Sequence, residues 1–297
     1  MDILLTGATG FLGSHLLPKL VERGHNVIIL KRSFSNTWRI KDIISKLKNY
    51  DIDKIDLEKV FQENKINVII HLATDYGRKN MNDVLQMLKP DIELPTKLLD
   101  LGTKYGSSFF VNAHTSTDSQ YTLYSAMKNA FIEIAKFFIA NCKINFVNIT
   151  IEYMYGEKDD ATKFIPYVIE SMLDKKEIKA TKGEQKRDFV YVEDVVNAYL
   201  RVLDNLESLD EKFIEFDIGT GKSISLKNCV SKIEKTIGEK ANIEWGVIPY
   251  RKNDIFDSKA NIDRAKELLN WQPEISLEEG LNNTIDWYKK CRVHRNE

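Results

Sequence analysis

The chain has 297 residues, of which 43% are hydrophobic and 29% are charged, so it can bury a sizeable core and lacks the composition of a disordered chain. Its 43 Lys and Arg residues nearly balance its 44 Asp and Glu residues, and a net charge of -1 provides no global field to attract nucleic acid or an anionic membrane. Three widely spaced cysteines and five histidines without metal-ligand spacing predict reduced thiols and no metal site. With no signal-peptide pattern and no apolar run of about 18 residues, we expect a cytoplasmic enzyme.

The first element is a glycine-rich turn between a strand and a helix. The apolar run Ile3-Leu4-Leu5 precedes the turn, and residues 11–23 carry apolar side chains at helical spacing. Glycine permits positive φ and close approach of the backbone to a pyrophosphate, whose charge the helix N-terminus favours. An ordinary tight turn is the competing interpretation. The turn predicts a dinucleotide site formed by Gly7, Thr9, Gly10, Phe11, Leu12 and Gly13.

Strand and helix patterns alternate through the first half of the chain. We predict strands at 26–31, 50–53, 67–72, 107–115 and 143–151, and helices at 37–48, 56–63, 81–104 and 121–141. Asp56 is placed to cap the second of these helices, and Pro90 and Pro95 are each expected to kink or restart the third. The alternation predicts an α/β fold with a doubly wound parallel sheet of the Rossmann type.

After Gly156 the elements become shorter, which predicts a second, smaller α/β substrate domain. Residues 211–218 again resemble a core strand, so the two domains are expected to interleave in sequence, and helices at 262–270 and 277–290 close the chain. The predicted division assigns 1–156 and 189–221 to the dinucleotide-binding domain, and 157–188 and 222–297 to the substrate domain.

Reactive groups are expected beyond the carboxyl ends of the parallel strands. The segment that opens the helix at 121–141 contains Tyr124 and Lys128, whose four-residue spacing puts them on one helix face. A tyrosine acts near neutral pH only if its pKa of about 10 falls by about three units, equivalent to about 4 kcal/mol, and an ammonium on the same face favours that shift. Taken alone, the pair is also a common chance occurrence on an amphipathic helix.

Combined with Thr115 at the end of the preceding strand, these motifs resemble the extended short-chain dehydrogenase/reductase family, and specifically its nucleotide-sugar branch. The similarity extends over nearly the whole chain, through 6–13, 71–74, Thr115, Tyr124, Lys128, 154–156, 187–194 and 263–273. It implies that Tyr124 is the catalytic acid/base, that Lys128 lowers its pKa and binds the nicotinamide ribose, and that Thr115 hydrogen-bonds the reacting oxygen.

The same resemblance implies further cofactor and substrate residues. It places Leu72, Ala73 and Thr74 against the cofactor and Asp53 near the adenine, although Asp51 lies two residues away and either acid can be a turn residue. Substrate ligands are expected at Thr115, Ser116, Tyr153, Arg187 and Arg251, the two arginines binding the nucleotide diphosphate. Asn253 replaces the family's usual glycine beside Arg251, and Tyr153 stands where many relatives carry asparagine. Glu152, Lys158, Asp159 and Asp160 are interpreted as a solvated loop rather than a metal site.

Cofactor choice is expected to depend on the end of the second strand. NAD enzymes place there an acid that accepts the ribose hydroxyls, whereas this chain has Lys31-Arg32-Ser33. Two cations and a hydroxyl suit a 2′-phosphate, so NADP(H) is the favoured cofactor and NAD(H) is possible. The alternative interpretation is a basic loop that is exposed to solvent and binds no phosphate.

Departures from the family pattern favour one reaction. A 4,6-dehydratase needs an Asp-Glu pair after the threonine, but Ser116-Thr117 follows Thr115, and the nine positions to Tyr124 are fewer than most epimerases have. The short connection and the segment 152–160 resemble the reductases that make CDP-abequose or CDP-paratose. We therefore expect NADPH-dependent reduction of the C4 keto group of a nucleotide-linked deoxysugar.

The alternatives are a 4-epimerase with tightly held NAD and a non-catalytic dinucleotide-binding regulator. The helices at 81–104 and 121–141 resemble the pair through which the family forms homodimers.

Overall fold

The computed structural model describes residues 1–77, 84–118 and 120–293. The chain forms two compact units, which are described separately. The first contains Met1–Thr150 and Tyr199–Phe216, and the second contains Ile151–Ala198 and Asp217–Glu297.

A seven-stranded sheet organises the first unit. Its seven strands are β1 (Asp2–Thr6), β2 (Asn26–Lys31), β3 (Lys48–Asp51), β4 (Val68–His71), β5 (Phe109–Thr115), β6 (Asn145–Ile151) and β11 (Phe213–Ile218). They lie in the order β11-β6-β5-β4-β1-β2-β3, and β1 pairs in parallel with both β2 and β4. The pairs β2 with β3 and β4 with β5 are also parallel. The predicted doubly wound α/β fold is confirmed.

Helices alternate with these strands along the chain. They are α1 (Phe11–Glu22), α2 (Leu57–Glu63), α3 (Val84–Leu88), α4 (Leu94–Lys104), α5 (Leu123–Asn141), α6 (Phe164–Leu173), α7 (Val192–Asn205), α8 (Leu226–Ile237), α9 (Asp263–Leu269) and α10 (Leu277–Val293). Asp56 accepts a hydrogen bond from the Glu58 amide at the start of α2, as predicted. Within the described ranges, no helix combines the length and apolarity needed to cross a bilayer.

The core of the first unit is built from both faces of the sheet. Leu4, Ile69 and Phe110 on three neighbouring strands are fully buried, and Phe110 stacks on Phe146 with ring centroids 5.3 Å apart. Strands covered by helices on both sides lose nearly all contact with water, which explains their continuous apolar sequences.

The prediction of a helix at 37–48 is wrong. The segment forms two short 3-10 turns, Trp38–Ile40 and Ile44–Lys46, and β3 already begins at Lys48. Only Ile40 among these turn residues is buried, so no apolar stripe packs a helix here, and the pairing of Lys48 with Ile28 draws the chain into the sheet.

The long helix predicted at 81–104 is divided around its prolines. Its first three residues, 81–83, lie outside the described residues, and α3 then passes through a π-helical turn, Lys89–Glu93, into α4. Pro90 lies in that turn and Pro95 lies in the first turn of α4. This agrees with the prediction that each proline kinks or restarts the helix. A proline has no N–H for an i→i−4 hydrogen bond, so the helix widens locally.

The second unit contains three two-stranded sheets. Its strands are β7 (Tyr153–Tyr155), β8 (Ile178–Ala180), β9 (Lys186–Arg187), β10 (Phe189–Tyr191), β12 (Ile224–Ser225) and β13 (Ile243–Trp245). They pair as β7 with β10, β9 with β12, and β8 with β13.

Candidate active site

The predicted dinucleotide turn joins β1 to α1. Gly7 has φ of 70°, and a Cβ there would lie 2.6 Å from the Leu72 carbonyl carbon and 2.7 Å from the Ala73 nitrogen. A Cβ on Gly13 would overlap the Gly7 carbonyl oxygen, and Gly10, which has no side chain, occupies the N-cap of α1. Thr9 lies within the turn, while Phe11, Leu12 and Gly13 form the first helical turn. The surface offered by the helix start is therefore backbone, which fits a pyrophosphate.

Thr6 fixes the segment that borders this turn. Its Oγ1 accepts hydrogen bonds from the amides of Leu72 and Ala73, each at 3.1 Å, and lies 2.9 Å from His71 Nδ1. The end of β4 is thus held against the end of β1, where Gly7 leaves room for it. Sequence reasoning missed this role of Thr6, because a threonine at the end of a strand carries no signal for it.

We expect Gly7→Ala to lose dinucleotide binding and to destabilise the chain more than Gly24→Ala. Gly24 has a similar φ of 76°, but a Cβ there meets nothing within 4 Å, so this control isolates backbone strain, which costs about 1 kcal/mol. Gly7→Ala adds overlap with the Leu72 and Ala73 backbone. Dinucleotide titration and thermal unfolding of both variants test the expectation, and equal losses in the two would contradict it.

The end of β2 is tied to acids at and just beyond the end of β3. Arg32 Nε donates to Asp53 Oδ1 at 2.6 Å, and the Ser33 amide donates to Asp53 Oδ2 at 2.9 Å. Ser33 Oγ donates to Asp51 at 2.7 Å. Lys31 is the last residue of β2 and, like Ser33, helps to lower the pKa of Asp51. The structure therefore brings together all the residues predicted at the adenine end, with the two cations facing two carboxylates.

The three proposed catalytic residues lie at and after the end of β5. Thr115 is the last residue of that strand, and its Oγ1 is 2.8 Å from Thr117 Oγ1. Thr122 caps α5 through a capping box, which places Tyr124 in the first helical turn. Lys128 Nζ lies 5.9 Å from the Tyr124 ring centroid, so the two side chains share one face, as predicted.

The electrostatics of Tyr124 differ from the prediction. Burial, reinforced by Tyr76 and Asp91, raises the pKa of Tyr124 well above its ordinary value. The Lys128 ammonium is itself buried and lies 3.7 Å from Asp91 Oδ1. A nearby carboxylate cancels much of the field that a lone ammonium exerts on the phenol. The hydroxyl therefore keeps its proton, as a proton donor must.

Two contacts of this site were missed by sequence reasoning. Tyr76 packs on Tyr124 with ring centroids 4.8 Å apart, and Asp91 pairs with Lys128. Thr74, predicted to face the cofactor, donates to Asp91 at 2.6 Å. The local sequence does not distinguish Asp91 from an exposed helical acid. The one available signal is Pro90, which precedes it and widens the helix there.

The substrate residues predicted beyond the first unit belong to the second. Arg187 is 5% exposed, and its guanidinium contacts Asp254 at 3.2 Å and lies 5.1 Å from the Tyr153 ring centroid. Arg251 is exposed, whereas Ser116 belongs to the first unit, directly after Thr115. Arg187 is thus held in a fixed geometry by a carboxylate and an aromatic face.

The interpretation of Glu152, Lys158, Asp159 and Asp160 as a solvated loop is wrong for Asp159. Its side chain is fully buried and forms an ion pair with Lys163 at 3.0 Å. Glu152 also has a partner, because it accepts from Ser258 Oγ at about 3 Å. Lys163, the N-cap of α6, lies close enough to pair with Asp159, and burial of the Asp159 carboxylate makes a charged partner necessary.

Comparisons with known proteins agree with this arrangement. Residues 3–219 match the NAD dependent epimerase/dehydratase family. The chain is 36% identical to the CDP-abequose synthase of Salmonella muenchen over 294 residues, which cover 95% of this chain and 96% of that protein. A solved structure of UDP-glucose 4-epimerase from Thermotoga maritima with UDP-glucose has a TM-score of 0.86 and 26% identity, covering 98% of this chain and 100% of that one. The UDP-glucuronic acid 4-epimerase of Bacillus cereus, solved with UDP-glucuronic acid and NAD, has the same fold, with a TM-score of 0.86 at 24% identity and coverage of 98% and 100%.

The family match covers more than half of the chain, and the Salmonella relative is similar along almost its whole length. The relatives named above are enzymes that modify nucleotide sugars. The chain therefore belongs to the NAD-dependent epimerase/dehydratase family, a group of extended short-chain dehydrogenases/reductases.

Proposed function

We propose that the chain catalyses the NADPH-dependent reduction of the C4 keto group of a CDP-linked 4-keto-3,6-dideoxyhexose. The observation that carries the proposal is the 36% identity to a CDP-abequose synthase over nearly the whole of both chains. The short connection between Thr115 and Tyr124, which resembles that of such reductases, supports it.

In this mechanism Tyr124 donates the proton. NADPH, when bound, supplies a hydride to the C4 carbon of the sugar. Thr115 donates a hydrogen bond to the C4 oxygen and holds it, while the Tyr124 hydroxyl protonates that oxygen as negative charge develops there. Lys128, on the same helix face, is expected to hold the nicotinamide ribose and to stabilise the phenolate that Tyr124 leaves behind.

The residues after Thr115 favour reduction over elimination. The hydroxyl of Thr117 lies 2.8 Å from that of Thr115, in the segment where a 4,6-dehydratase needs a pair of carboxyl groups. Reduction requires no such acid pair, and it begins from a Tyr124 that carries its proton, the form that burial favours.

The runner-up is a nucleotide-sugar 4-epimerase with tightly held NAD. It is supported by the Thermotoga 4-epimerase, which is 26% identical and has nearly the same length. Acid quenching separates the two functions, because an epimerase regenerates and retains its dinucleotide whereas a reductase exchanges it in every turnover. Release of stoichiometric NAD from the freshly purified protein would favour the epimerase.

We propose NADP(H) as the cofactor, bound at its 2′-phosphate by Lys31, Arg32 and Ser33. Asp53 accepts a hydrogen bond from Arg32 Nε and so orients the side chain. The two terminal guanidinium nitrogens then point toward a phosphate as a pair of hydrogen-bond donors. NAD(H) is the alternative, and a specific observation favours it: Asp51 and Asp53 stand beside Ser33 and Arg32, where carboxylates can accept ribose hydroxyls.

We expect Arg32→Gln to weaken NADPH binding by about 10-fold or more and to change NADH binding little, because the lost charge-assisted bonds serve only the 2′-phosphate. Arg39→Gln is the matched control, since Arg39 lies in a 3-10 turn outside this cluster and stacks on Trp38. The ratio of the two dissociation constants, measured by fluorescence titration, is the readout. An equal loss for both dinucleotides would show that Arg32 does not select between them.

The nucleotide diphosphate is assigned to the second unit. Arg187 and Arg251 carry the positive charge for it, and Tyr153 and Ser116 are proposed as further substrate contacts. The buried pairing of Arg187 with Asp254 orients its guanidinium. Under this proposal Arg187 and Arg251 of the second unit bind the nucleotide diphosphate, and the first unit binds the dinucleotide and supplies Thr115 and Tyr124 for the chemistry.

We also propose a homodimer formed through the helices predicted at 81–104 and 121–141, which correspond to α3, α4 and α5 within the described residues. The large apolar side chains of Leu85 on α3 and Phe137 on α5 are exposed by 70% and 68%. Covering such residues with a second copy removes them from water.

A panel of 4-keto sugar nucleotides, assayed by loss of NADPH absorbance, tests the main proposal. We expect the CDP-linked 4-keto-3,6-dideoxyhexose to be consumed most efficiently and the corresponding UDP and dTDP sugars to react poorly. Absence of NADPH oxidation with every keto sugar would refute the reductase.

A further inference from the structure

Tyr76 places an aromatic ring beside the proposed proton donor, and the proposed mechanism assigns it no role. The residue lies in the segment that follows β4, and its ring packs on Tyr124 with ring centroids 4.8 Å apart. Tyr76 is nevertheless 45% exposed. It therefore contacts a catalytic residue and keeps much of its surface accessible to a ligand.

A hydrogen-bonded turn fixes the backbone on both sides of Tyr76. Before it, the Asp75 amide donates to Asp91 Oδ2 at 3.2 Å, and after it, the Gly77 amide donates to Asp75 Oδ1 at 2.9 Å. Gly77 has φ of 66°, and a Cβ there would lie 2.6 Å from Met87 Sδ, so the turn packs closely against α3. The ring is thus presented by a backbone whose position is set.

The Tyr76 ring lies next to the group that is proposed to protonate the sugar. The planes of the two tyrosine rings are tilted by 50°, so Tyr76 packs against Tyr124 without stacking flat on it. The Tyr76 phenol also contributes to the raised pKa of Tyr124. Both rings belong to the first unit, as does Thr115, which is proposed to hold the reacting oxygen.

The proposed reaction places the C4 carbon of the sugar at Thr115 and Tyr124. The carbons C3 and C5 are one bond away from C4, so a ring that packs on Tyr124 borders this part of the sugar. C3 distinguishes the proposed substrate, because it carries two hydrogens where a 6-deoxyhexose carries a hydrogen and a hydroxyl. A residue that recognises the missing hydroxyl is therefore expected in the immediate surroundings of Tyr124.

An aromatic ring suits a methylene group and disfavours a hydroxyl. Contact between a CH₂ group and the ring removes apolar surface from water, which is favourable. A hydroxyl pressed against the same surface gives up hydrogen bonds to water that the ring carbons do not replace. An apolar surface of this kind discriminates against one added hydroxyl by about 10- to 100-fold.

We propose that Tyr76 is a specificity-determining residue for the keto reduction: its ring packs against the deoxygenated C3 of the sugar and disfavours a substrate that carries a hydroxyl there. The inference rests on the proposed function, in which Thr115 and Tyr124 hold the C4 oxygen. It assigns the selection to the ring, so the Tyr76 hydroxyl is not required.

The test compares two keto sugars that differ only at C3. CDP-4-keto-3,6-dideoxyhexose has a methylene group there, and CDP-4-keto-6-deoxyhexose has a hydroxyl. We expect the kcat/KM of the parent chain to be about 10-fold or more higher for the dideoxy sugar. In Tyr76→Ala we expect this ratio to fall about 10-fold, because the dideoxy sugar loses its apolar contact and the C3 hydroxyl regains access to water.

Tyr76→Phe and Tyr105→Ala are the controls. Phenylalanine keeps the ring and removes only the hydroxyl, so the ratio should stay unchanged. Tyr105 is 37% exposed and precedes β5, whose opposite end carries Thr115, so its removal should also leave the ratio unchanged. Circular dichroism and NADPH titration verify that each variant folds and binds dinucleotide. If Tyr76→Ala does not fold, Tyr76→Gln takes its place with the same expected fall.

Binding of the reduced sugars provides a readout that needs no turnover. Isothermal titration calorimetry compares CDP-3,6-dideoxyhexose with CDP-6-deoxyhexose in the parent chain and in Tyr76→Ala. We expect the dideoxy sugar to bind the parent chain more tightly, and the difference to shrink in the variant.

The outcomes separate the two proposals. An unchanged ratio in Tyr76→Ala, or a parent chain that does not distinguish the two sugars, overturns the role of Tyr76. Equal losses with both sugars overturn the assignment to C3, and a lowered ratio in Tyr76→Phe overturns the assignment to the ring. If the parent chain reduces neither sugar, the proposed function fails, whereas the calorimetric comparison still decides whether Tyr76 distinguishes them.

Discussion

Tyr124→Phe is expected to lower kcat for keto-sugar reduction by about 10²- to 10⁴-fold, the range that a positioned general acid contributes. The variant removes the hydroxyl and keeps the ring, which packs against Tyr76 at a centroid distance of 4.8 Å and lies beside Lys128. Folding and dinucleotide binding should therefore survive while protonation of the C4 oxygen is lost. Single-turnover loss of NADPH absorbance measures the chemical step, and fluorescence titration measures NADPH binding.

Tyr167→Phe is the matched control for this prediction. Tyr167 lies on α6 in the second unit and is 41% exposed, so removal of its hydroxyl should leave both readouts unchanged. Near wild-type reduction by Tyr124→Phe would reject the proposed role, because no other group has been assigned to protonate the sugar. Loss of NADPH binding in Tyr124→Phe would instead indicate that the hydroxyl serves the dinucleotide.

Asp188→Ala is expected to lower the free energy of unfolding of the second unit by about 3 kcal/mol or more. Asp188 is fully buried, and its carboxylate accepts hydrogen bonds from the amides of Thr220, Gly221 and Ala260 at 2.8 to 3.2 Å, and one from the Thr220 hydroxyl. Each buried donor left without its acceptor costs about 1 to 3 kcal/mol. The segments at 220–221 and at 260 would lose their common acceptor.

Urea denaturation followed by tryptophan fluorescence measures this loss. Three of the four tryptophans, Trp245, Trp271 and Trp287, lie in the second unit, so the signal reports mainly on that unit. Asp257→Asn is the control, since Asp257 is 51% exposed and its ion pair with Lys186 spans 3.8 Å. We expect it to change the free energy of unfolding by less than about 0.5 kcal/mol. Equal stability of the two variants would contradict the structural role of Asp188.

Local chemistry explains which parts of the fold were predictable. The buried strands were recognised because both faces of a parallel sheet are covered, so β1, β2 and β4 are apolar along their length. Gly7 and Gly13 predicted the glycine turn correctly, because at each position a Cβ would overlap neighbouring backbone atoms. Two predictions failed where pairing with β2 decided the structure: the bounds of β3 were misplaced, and no helix forms at 37–48.

The catalytic site was predictable in its composition and only partly in its electrostatics. The spacing of Tyr124 and Lys128 predicted that both side chains lie on the same face of the helix, since four residues complete about one helical turn. The same spacing suggested a lowered pKa for Tyr124, whereas burial, Tyr76 and Asp91 raise it in the chain without dinucleotide. Asp91 is 37 residues from Lys128 in the sequence, and no local pattern connects them.

The sequence by itself therefore determined the α/β fold, the glycine turn and the pairing of Tyr124 with Lys128, because these depend on backbone sterics, burial period and helical spacing. Tertiary structure alone decided that Asp91 enters the site through a π-helical turn, that Asp53 fixes Arg32, and that Asp188 joins the segments at 220–221 and at 260. These contacts join residues far apart in the chain, and their energies depend on burial, which the packed structure establishes.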